Sequence, residues 1–154
     1  MSFIKVYYID IEKHNIDKNQ GSELLKRKVL GEREIFKNEN GKPYCDDVFF
    51  NVSHSGKYVV LATANSEIGI DIEKIRDTEK IHSAKGFTSK EEFFEMWTKK
   101  ESIIKYLGKT VISVKNVNVR DYENLLKTSD FFKGYAFSIC TNDNSEIELK
   151  ELIP

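Results

Sequence analysis

The chain lacks several features that would define its class at once. Its 154 residues include only two cysteines, Cys45 and Cys140, which are far apart and form no CxxC spacing, so neither a zinc site nor a disulfide framework is predicted. The net charge is −1, which argues against a general nucleic-acid binder, because such proteins carry an excess of Lys and Arg. No apolar run is long enough to span a bilayer, and no signal-like segment opens the chain. We therefore expect a soluble, cytoplasmic protein without nucleic-acid or membrane partners.

The sequence does have the composition of one globular unit. Hydrophobic residues make up 40% and charged residues 32%, and the length suits one domain or two small halves that share a core. Alternating apolar and β-branched residues predict strands at residues 6–11, 48–52, 57–64, 68–75, 111–119, 134–141 and 147–152. Helical spacing predicts helices at 22–30, with Ser22 as N-cap and Gly31 after the end, and at 91–107, ended by Gly108. A turn is predicted at 40–43.

Two parts of the chain resemble each other. The segment 9–13 has the same letters, IDIEK, as the segment 70–74, at an offset of 61 residues, whereas Leu30-Gly31, Tyr58 and Asn65 recur at an offset of 77. One interpretation is chance among short apolar words. The other is a pair of similar strand-helix-strand halves, residues 1–66 and 67–154, packed about a pseudo-twofold axis as one compact α+β unit with a ligand cleft between them. Since such a pair supplies its own interface, a monomer is expected.

The second half carries a candidate metal site. Asp71 and Glu73 lie two apart in an apolar strand, so both side chains should project from one face. Their like charges repel, which favours a compensating cation, and Glu101 would join them from the second helix. An all-oxygen set suits Mg²⁺ bound together with a substrate phosphate. Lys100 and Lys105 flank Glu101 and would add positive charge for the same phosphates.

Four words in this order resemble a known enzyme family. They are Gly41-Lys42-Pro43, Asn51-Val52-Ser53-His54-Ser55-Gly56, Gly69-Ile70-Asp71-Ile72-Glu73 and Trp97-Thr98-Lys99-Lys100-Glu101-Ser102-Ile103-Ile104-Lys105. The pattern is similar to that of the 4′-phosphopantetheinyl transferases, specifically the long, pseudo-dimeric type that activates surfactin synthetase. The resemblance implies the 4′-phosphopantetheinyl transferase fold and a holo-acyl-carrier-protein synthase activity. In that activity, the 4′-phosphopantetheine arm of coenzyme A moves to a serine of an apo acyl or peptidyl carrier protein, and adenosine 3′,5′-bisphosphate is released.

The resemblance also implies residue roles. Asp71, Glu73 and Glu101 would hold Mg²⁺ against the pyrophosphate, and Lys105, with Lys100, would pair with the same group. The adenine of coenzyme A would lie beside residues 41, 42 and 43 (Gly41, Lys42 and Pro43), and its phosphates would meet Ser53 and His54. The base that takes the serine proton is Glu101 or its rival Glu73.

Two departures from the family pattern stand out. Only six residues, 91–96, separate the word at 87–90 from the word at 97–105, whereas the family has a longer segment there that helps to hold the carrier. The arginine that meets the 3′-phosphate has no clear counterpart, which leaves Lys26, Arg27 and Lys28 as candidates. Two other functions therefore stay open. They are a non-catalytic module that binds coenzyme A or a carrier protein, and a Mg²⁺-dependent hydrolase of phosphoanhydrides.

Overall fold

The computed structural model describes residues 3–78, 86–108 and 114–154. In these ranges the chain forms two α-helices, α1 (Lys18–Leu30) and α2 (Lys90–Leu107). The strands are β1 (Phe3–Asp10), β2 (Phe36–Lys37), β3 (Pro43–Tyr44), β4 (Phe49–Ser55), β5 (Tyr58–Ala64), β6 (Ile68–Lys74), β7 (Leu126–Ser129), β8 (Tyr135–Thr141) and β9 (Glu146–Glu151). Two 3₁₀ segments, Val114–Asn116 and Val119–Leu125, precede β7. Within the described ranges, none of the helices is long and apolar enough to cross a membrane.

The strands form two main sheets and one short hairpin. The larger sheet has the order β4-β5-β1-β9, the smaller has the order β6-β8-β7, and β2 pairs with β3. All neighbours are antiparallel except β1 and β9, which are parallel. Apolar side chains from both main sheets form the central core. Helix α1 covers the outer face of the larger sheet and α2 that of the smaller one, so the order of layers is helix, sheet, sheet, helix. The predicted α+β class is confirmed.

Both helices end as predicted, but α1 begins earlier. Asp17 is its N-cap and accepts a hydrogen bond from the Gln20 N–H, while the Gln20 side chain accepts one from the Asp17 N–H. This reciprocal pair satisfies two backbone donors of the first turn, so the prediction of Ser22 as N-cap is wrong. The strand predicted at 111–119 is also wrong where it can be compared. Residues 111–113 lie outside the described ranges, and Val114–Asn116 is a 3₁₀ turn.

The registers of the two sheets bear on the internal repeat. Tyr58 pairs with Asp10 in the larger sheet, whereas Tyr135 pairs with Lys74 in the smaller one. When the two tyrosines are superimposed in register, Asp10 therefore corresponds to Lys74 and not to Asp71. The strand orders β4-β5-β1 and β7-β8-β6 are the same in kind, but the two acidic words do not occupy equivalent positions. The pseudo-twofold relation between the halves stays a prediction.

Strand β6 is joined to β4 through side chains. The N–H groups of Ile70, Ile72 and Lys74 donate to the side-chain oxygens of Asn51, Ser53 and Ser55, at 2.8, 3.1 and 2.9 Å. Because alternate residues of a strand share one side, the three acceptors at positions 51, 53 and 55 follow the donors at 70, 72 and 74. These bonds satisfy the edge of β6 that, in the described ranges, is not paired with another strand. They also hold the acidic strand beside the larger sheet.

Candidate functional site

A cavity of about 440 Å³ lies where the β2-β3 turn, β4, β6 and α2 meet. Its lining combines residues of both predicted halves: Lys26, Asn40, Gly41, Lys42, Pro43, Phe50, Asn51, Val52, Asp71, Glu101, Ile104, Lys105, Gly108 and Val114. Six residues that were predicted for catalysis, metal binding or coenzyme A binding thus line one cavity, although they are up to 64 positions apart in the sequence: Gly41, Lys42, Pro43, Asp71, Glu101 and Lys105. Such a concave site with a few convergent charged groups is typical of a small-molecule site.

Helix α2 supplies Glu101 and Lys105, which are four residues apart and therefore lie on the same helix face. The Lys105 Nζ donates a 2.8 Å hydrogen bond to the Val52 carbonyl of β4. Burial lowers the pKa of Lys105, and the nearby carboxylates of Asp71 and Glu101 act in the opposite direction. The ammonium has three donors and the bond to Val52 uses one. Lys105 therefore joins α2 to the larger sheet and brings a cation to the carboxylates.

Helix α2 approaches β6 closely because the facing strand residue is Gly69. A Cβ at this position would overlap the backbone of Ser102 and Tyr106. The absence of a side chain lets the helix backbone pack directly on the strand. This approach places Glu101 and Lys105 of α2 beside Asp71, which follows Gly69 by two positions on the same face of β6.

Asp71 is buried, with 7% of its surface exposed. The Ser53 hydroxyl donates to its Oδ1 at 3.3 Å, while its Oδ2 is buried and has no hydrogen-bond partner among the residues that the structure describes. Burial raises the pKa of Asp71 to about 8, with a further rise from Glu73 and Glu101 and an opposing effect from Lys105. A buried carboxylate oxygen without a donor is a position where a cation would satisfy both charge and coordination.

The structure does not bring every predicted site residue into the cavity lining. Glu73 is half-buried, lies outside that lining and contacts Arg76 at 3.5 Å. The Arg76 guanidinium also stacks over Phe94, 4.9 Å from the ring centroid. Lys100, like Glu73, is not part of the lining. Among the described residues, no group of three or more His, Cys, Asp and Glu side chains is placed to hold a metal ion, so the three-carboxylate magnesium site stays a prediction.

The β2-β3 turn forms a further part of the cavity wall. Lys42 lies in this wall, with Nζ 2.7 Å from Glu67 Oε1 and 3.1 Å from the Ile68 carbonyl. Gly41 has a φ of +85°, and no described atom lies within 4 Å of its Cβ position. This φ belongs to the left-handed region, which glycine adopts without strain. The predicted adenine-flanking residues 41–43 thus line the same cavity as Glu101 and Lys105.

Ser53 and His54 lie next to the cavity but outside its lining. Ser53 is 6% exposed and is occupied by its bonds to Ile72 and Asp71, so its hydroxyl acts on the acidic strand in this structure. His54 is at the surface, on the opposite side of β4. Partial burial lowers the pKa of His54, and Lys18 and Lys105 lower it further. The neutral imidazole is therefore favoured at neutral pH.

The sequence left open which basic residue of α1 contacts the 3′-phosphate, and among these candidates the cavity lining favours Lys26. Lys26 lines the cavity, whereas Arg27 lines a separate depression beside Leu24 and Pro154. Asn51 was missed as an individual site residue. Its Oδ1 holds the Ile70 N–H while the residue also lines the cavity. The signal for Asn51 was its place in the motif at 51–56, but its role depends on the side-chain hydrogen bonds that join β4 to β6.

Comparison with known proteins gives one consistent family. No family model matches the chain. The 4′-phosphopantetheinyl transferase gsp of Aneurinibacillus migulanus is 42% identical over 77% of this chain and 66% of its own length. The corresponding values are 35%, 79% and 66% for the 4′-phosphopantetheinyl transferase psf-1 of Bacillus pumilus. They are 31%, 66% and 60% for the 4′-phosphopantetheinyl transferase Sfp of Bacillus subtilis (strain 168).

Residues from all four motifs line one cavity. Together with these sequence similarities, this defines the class of protein. The chain belongs to the 4′-phosphopantetheinyl transferase family and is similar to members of its Sfp type. The chain spans just under two thirds of the length of these curated relatives, 60% to 66%.

Proposed function

We propose that this chain transfers the 4′-phosphopantetheine arm of coenzyme A to a serine of an apo acyl or peptidyl carrier protein, with Mg²⁺, and releases adenosine 3′,5′-bisphosphate. One observation carries the proposal. Asp71, Glu101 and Lys105 meet the segment 41–43 around one cavity, and these are the residues to which the family resemblance assigns pyrophosphate and adenine contacts.

In this proposal different parts of the cavity lining bind different parts of coenzyme A. Segment 41–43 flanks the adenine, and Lys26 contacts the 3′-phosphate, since it is the basic residue of its run that lines the cavity. The pyrophosphate lies nearer to Lys105, whose remaining N–H groups donate to it. Ser53 acts mainly through Asp71, and His54 and Lys100 contact phosphates from the rim.

The donor set fits magnesium at Asp71. Its buried Oδ2, which accepts no hydrogen bond from the described part of the chain, and the neighbouring Glu101 offer carboxylate oxygens, the ligand type that Mg²⁺ prefers. Glu73 completes the proposed set if its side chain leaves Arg76, a surface ion pair of the kind that contributes about 0–1 kcal/mol. When bound, the ion would polarise the pyrophosphate and offset charge on the leaving group.

The remaining chemistry belongs to the chain and the two substrates. The carrier serine oxygen forms a bond to the phosphorus that bears the pantetheine arm, and the bond from this phosphorus to the bridging oxygen breaks. The electron pair leaves with the adenosine bisphosphate. Glu101, or Glu73, accepts the serine proton directly or through a water, and Lys105 stabilises the charge on the departing oxygens.

The test asks whether binding and turnover have the required partners. Coenzyme A binding is measured with and without Mg²⁺, and adenosine 3′,5′-bisphosphate is quantified with and without an apo carrier. The proposal expects bisphosphate only when Mg²⁺ and carrier are both present. Binding without product on any carrier would support the non-catalytic module, and coenzyme A cleavage without carrier would support the hydrolase.

We further propose how the two halves of the chain share the reaction and where the chain acts. Residues 1–66 would supply most coenzyme A contacts and residues 67–154 the magnesium and catalytic groups, as two halves related by a pseudo-twofold axis. The chain would act as a cytoplasmic monomer. The corresponding order of three strands in each main sheet, β4-β5-β1 and β7-β8-β6, supports the relation between the halves.

A further inference from the structure

Asn38 holds the part of the cavity wall that residues 41–43 form, through hydrogen bonds within the turn. This residue follows β2 and lies outside the cavity lining. The Asn38 backbone N–H donates to the Lys42 carbonyl at 2.9 Å, and the Asn38 backbone carbonyl accepts a hydrogen bond from the Gly41 N–H at 2.9 Å. Asn38 therefore closes the turn that presents Gly41, Lys42 and Pro43 to the cavity.

The side chain of Asn38 can be oriented from its partners. The N–H groups of Asn40 and Lys42 both donate to one end of the amide, at 2.8 and 2.9 Å. Since two donors converge there, this end is the oxygen and the other end is the NH₂ group. The NH₂ group donates to the Gly108 carbonyl at 3.3 Å. One amide thus organises the turn and reaches a residue 70 positions away.

Gly108 is the residue that ends α2. Its φ is +67°, and its N–H closes the helix by bonding to the carbonyls of Ile104 and Lys105. A Cβ at Gly108 would come within 3.0 Å of Asn38 Nδ2 and 3.6 Å of Lys42 Cδ. The carbonyls at a helix end lack partners within the helix, and Asn38 satisfies one of them. The contact therefore joins the turn to the helix that carries Glu101 and Lys105.

We propose that Asn38 is a positioning residue for coenzyme A binding. By bonding to Gly108 it holds the β2-β3 turn at a fixed place relative to the end of α2, so the cavity has its ligand-binding shape before the ligand arrives. This inference rests on the proposed function, because it takes coenzyme A as the ligand. Asn38 touches no substrate in it, and the substrate-facing atoms are those of the turn.

Preorganisation predicts which constants should change. A wall that is already in place reduces the ordering that binding would otherwise require. Loss of the bond to Gly108 should therefore weaken coenzyme A binding without slowing the chemical step once the site is saturated. The lysine contacts of the same turn, Lys42 to Glu67 and Ile68, do not replace it, because they hold a flexible side chain and not the backbone of the turn.

Two variants separate the parts played by the amide. Asn38→Ser keeps a neutral local acceptor for the turn but is too short to reach Gly108, and Asn38→Ala removes both. Asn118→Ser and Asn118→Ala are matched controls, because the Asn118 oxygen likewise accepts a backbone N–H, that of Arg120 at 3.1 Å, and lies outside the cavity lining. The measurements are the dissociation constant of coenzyme A, kcat and KM with an apo carrier, and amide exchange at residues 40 and 42.

For Asn38→Ser we expect coenzyme A binding about 3- to 10-fold weaker, the effect of one lost hydrogen bond, with kcat at saturating coenzyme A unchanged. For Asn38→Ala we expect binding at least as weak and faster exchange of the amides at 40 and 42. The Asn118 variants should keep the affinity of the unmodified chain.

Wild-type affinity in both Asn38 variants overturns the inference, as does a fall in kcat with KM unchanged. Equal losses in the Asn38 and Asn118 variants would show a general structural role and would also overturn it. If the unmodified chain binds no coenzyme A, the proposed function fails and this inference fails with it. If the unmodified chain binds and only the variants behave contrary to expectation, the proposed function stands.

Discussion

The Ser53 hydroxyl lies 3.1 Å from the Ile72 N–H and 3.3 Å from the Asp71 Oδ1. A single side chain of the larger sheet therefore holds both the backbone of the acidic strand and one oxygen of its buried carboxylate. Within the described ranges, the other oxygen of Asp71 has no hydrogen-bond partner. Ser53 thus contributes to the site through the position of Asp71.

The first prediction concerns this hydroxyl. Ser53→Ala leaves a buried Ile72 N–H unsatisfied and should lower the free energy of unfolding by about 1–3 kcal/mol. Ser55→Ala is the matched control, because Ser55 makes the equivalent bond to the Lys74 N–H at 2.9 Å in an exposed place. There water can replace the hydroxyl, and the loss should be below about 1 kcal/mol. Urea unfolding measures both, and equal losses would contradict the assigned difference.

The second prediction concerns the lysine of α2. Lys105→Met removes the bond to Val52 and the cation beside Asp71 and Glu101. Transfer should fall by about 100-fold or more, as for loss of one preorganised donor to a developing charge, and the melting temperature should fall as well. Steady-state transfer assays and thermal unfolding measure these changes.

Lys99→Met provides the control for that variant. Lys99 is on the same helix, pairs with Glu95 at 3.6 Å and is partly exposed. Surface pairs of this kind contribute about 0–1 kcal/mol, so transfer and stability should stay close to those of the unmodified chain. Retained transfer in Lys105→Met, or an equal loss in Lys99→Met, would be incompatible with the role given to Lys105.

The third prediction concerns the approach of α2 to β6. In Gly69→Ala the new Cβ would overlap the helix backbone at Ser102 and Tyr106, so the helix must move. We expect a loss of about 3 kcal/mol or more in unfolding free energy. At Gly31 a new Cβ would meet no described atom within 4 Å. Gly31 has a φ of +65° and a ψ of −134°, a conformation that is essentially restricted to glycine, so the loss in Gly31→Ala should be about 1–3 kcal/mol. Chemical denaturation compares the two, and a smaller loss at Gly69 would argue against this packing.

The fourth prediction concerns His54. Partial burial, Lys18 and Lys105 lower the pKa of its imidazole, so its titration by NMR should have a midpoint below the usual value of about 6.5. Because the unfolded chain then binds more protons than the folded chain, this group should reduce stability as the pH falls from about 6.5 through the folded pKa. Lys18→Gln should raise the midpoint. An unshifted midpoint in both proteins would contradict the assignment.

Much of the fold was predictable because it follows local periodicity. The spacing of Phe94, Trp97, Ile104 and Leu107 with Gly108 predicted α2, and its observed start differs by one residue. The early start of α1 was missed because its first turn, residues 18–21, is polar and its cap depends on the Asp17 and Gln20 side chains. The two-residue strands β2 and β3 and the 3₁₀ segments carry too little pattern to be recognised.

The sequence motifs that form the site could be predicted, but the arrangement of their residues in space could not. The sequence grouped Asp71, Glu101 and Lys105, and the structure brings all three to one cavity. It could not reveal that Ser53 and Asn51 hold β6, because this depends on the relative register of two sheets. The bond from Asn38 to Gly108 joins residues 70 positions apart, and no local pattern indicates it.

Intact-mass spectrometry of apo carrier proteins tests the central claim most directly. Two or three unrelated carriers are incubated with the chain, coenzyme A and Mg²⁺, next to reactions that contain a chelator and reactions with Asp71→Asn or Glu101→Gln. The account predicts a gain of one phosphopantetheine on at least one carrier, lost with the chelator and in both folded variants. No gain on any carrier while coenzyme A binding is intact, or undiminished transfer by both variants, would contradict it.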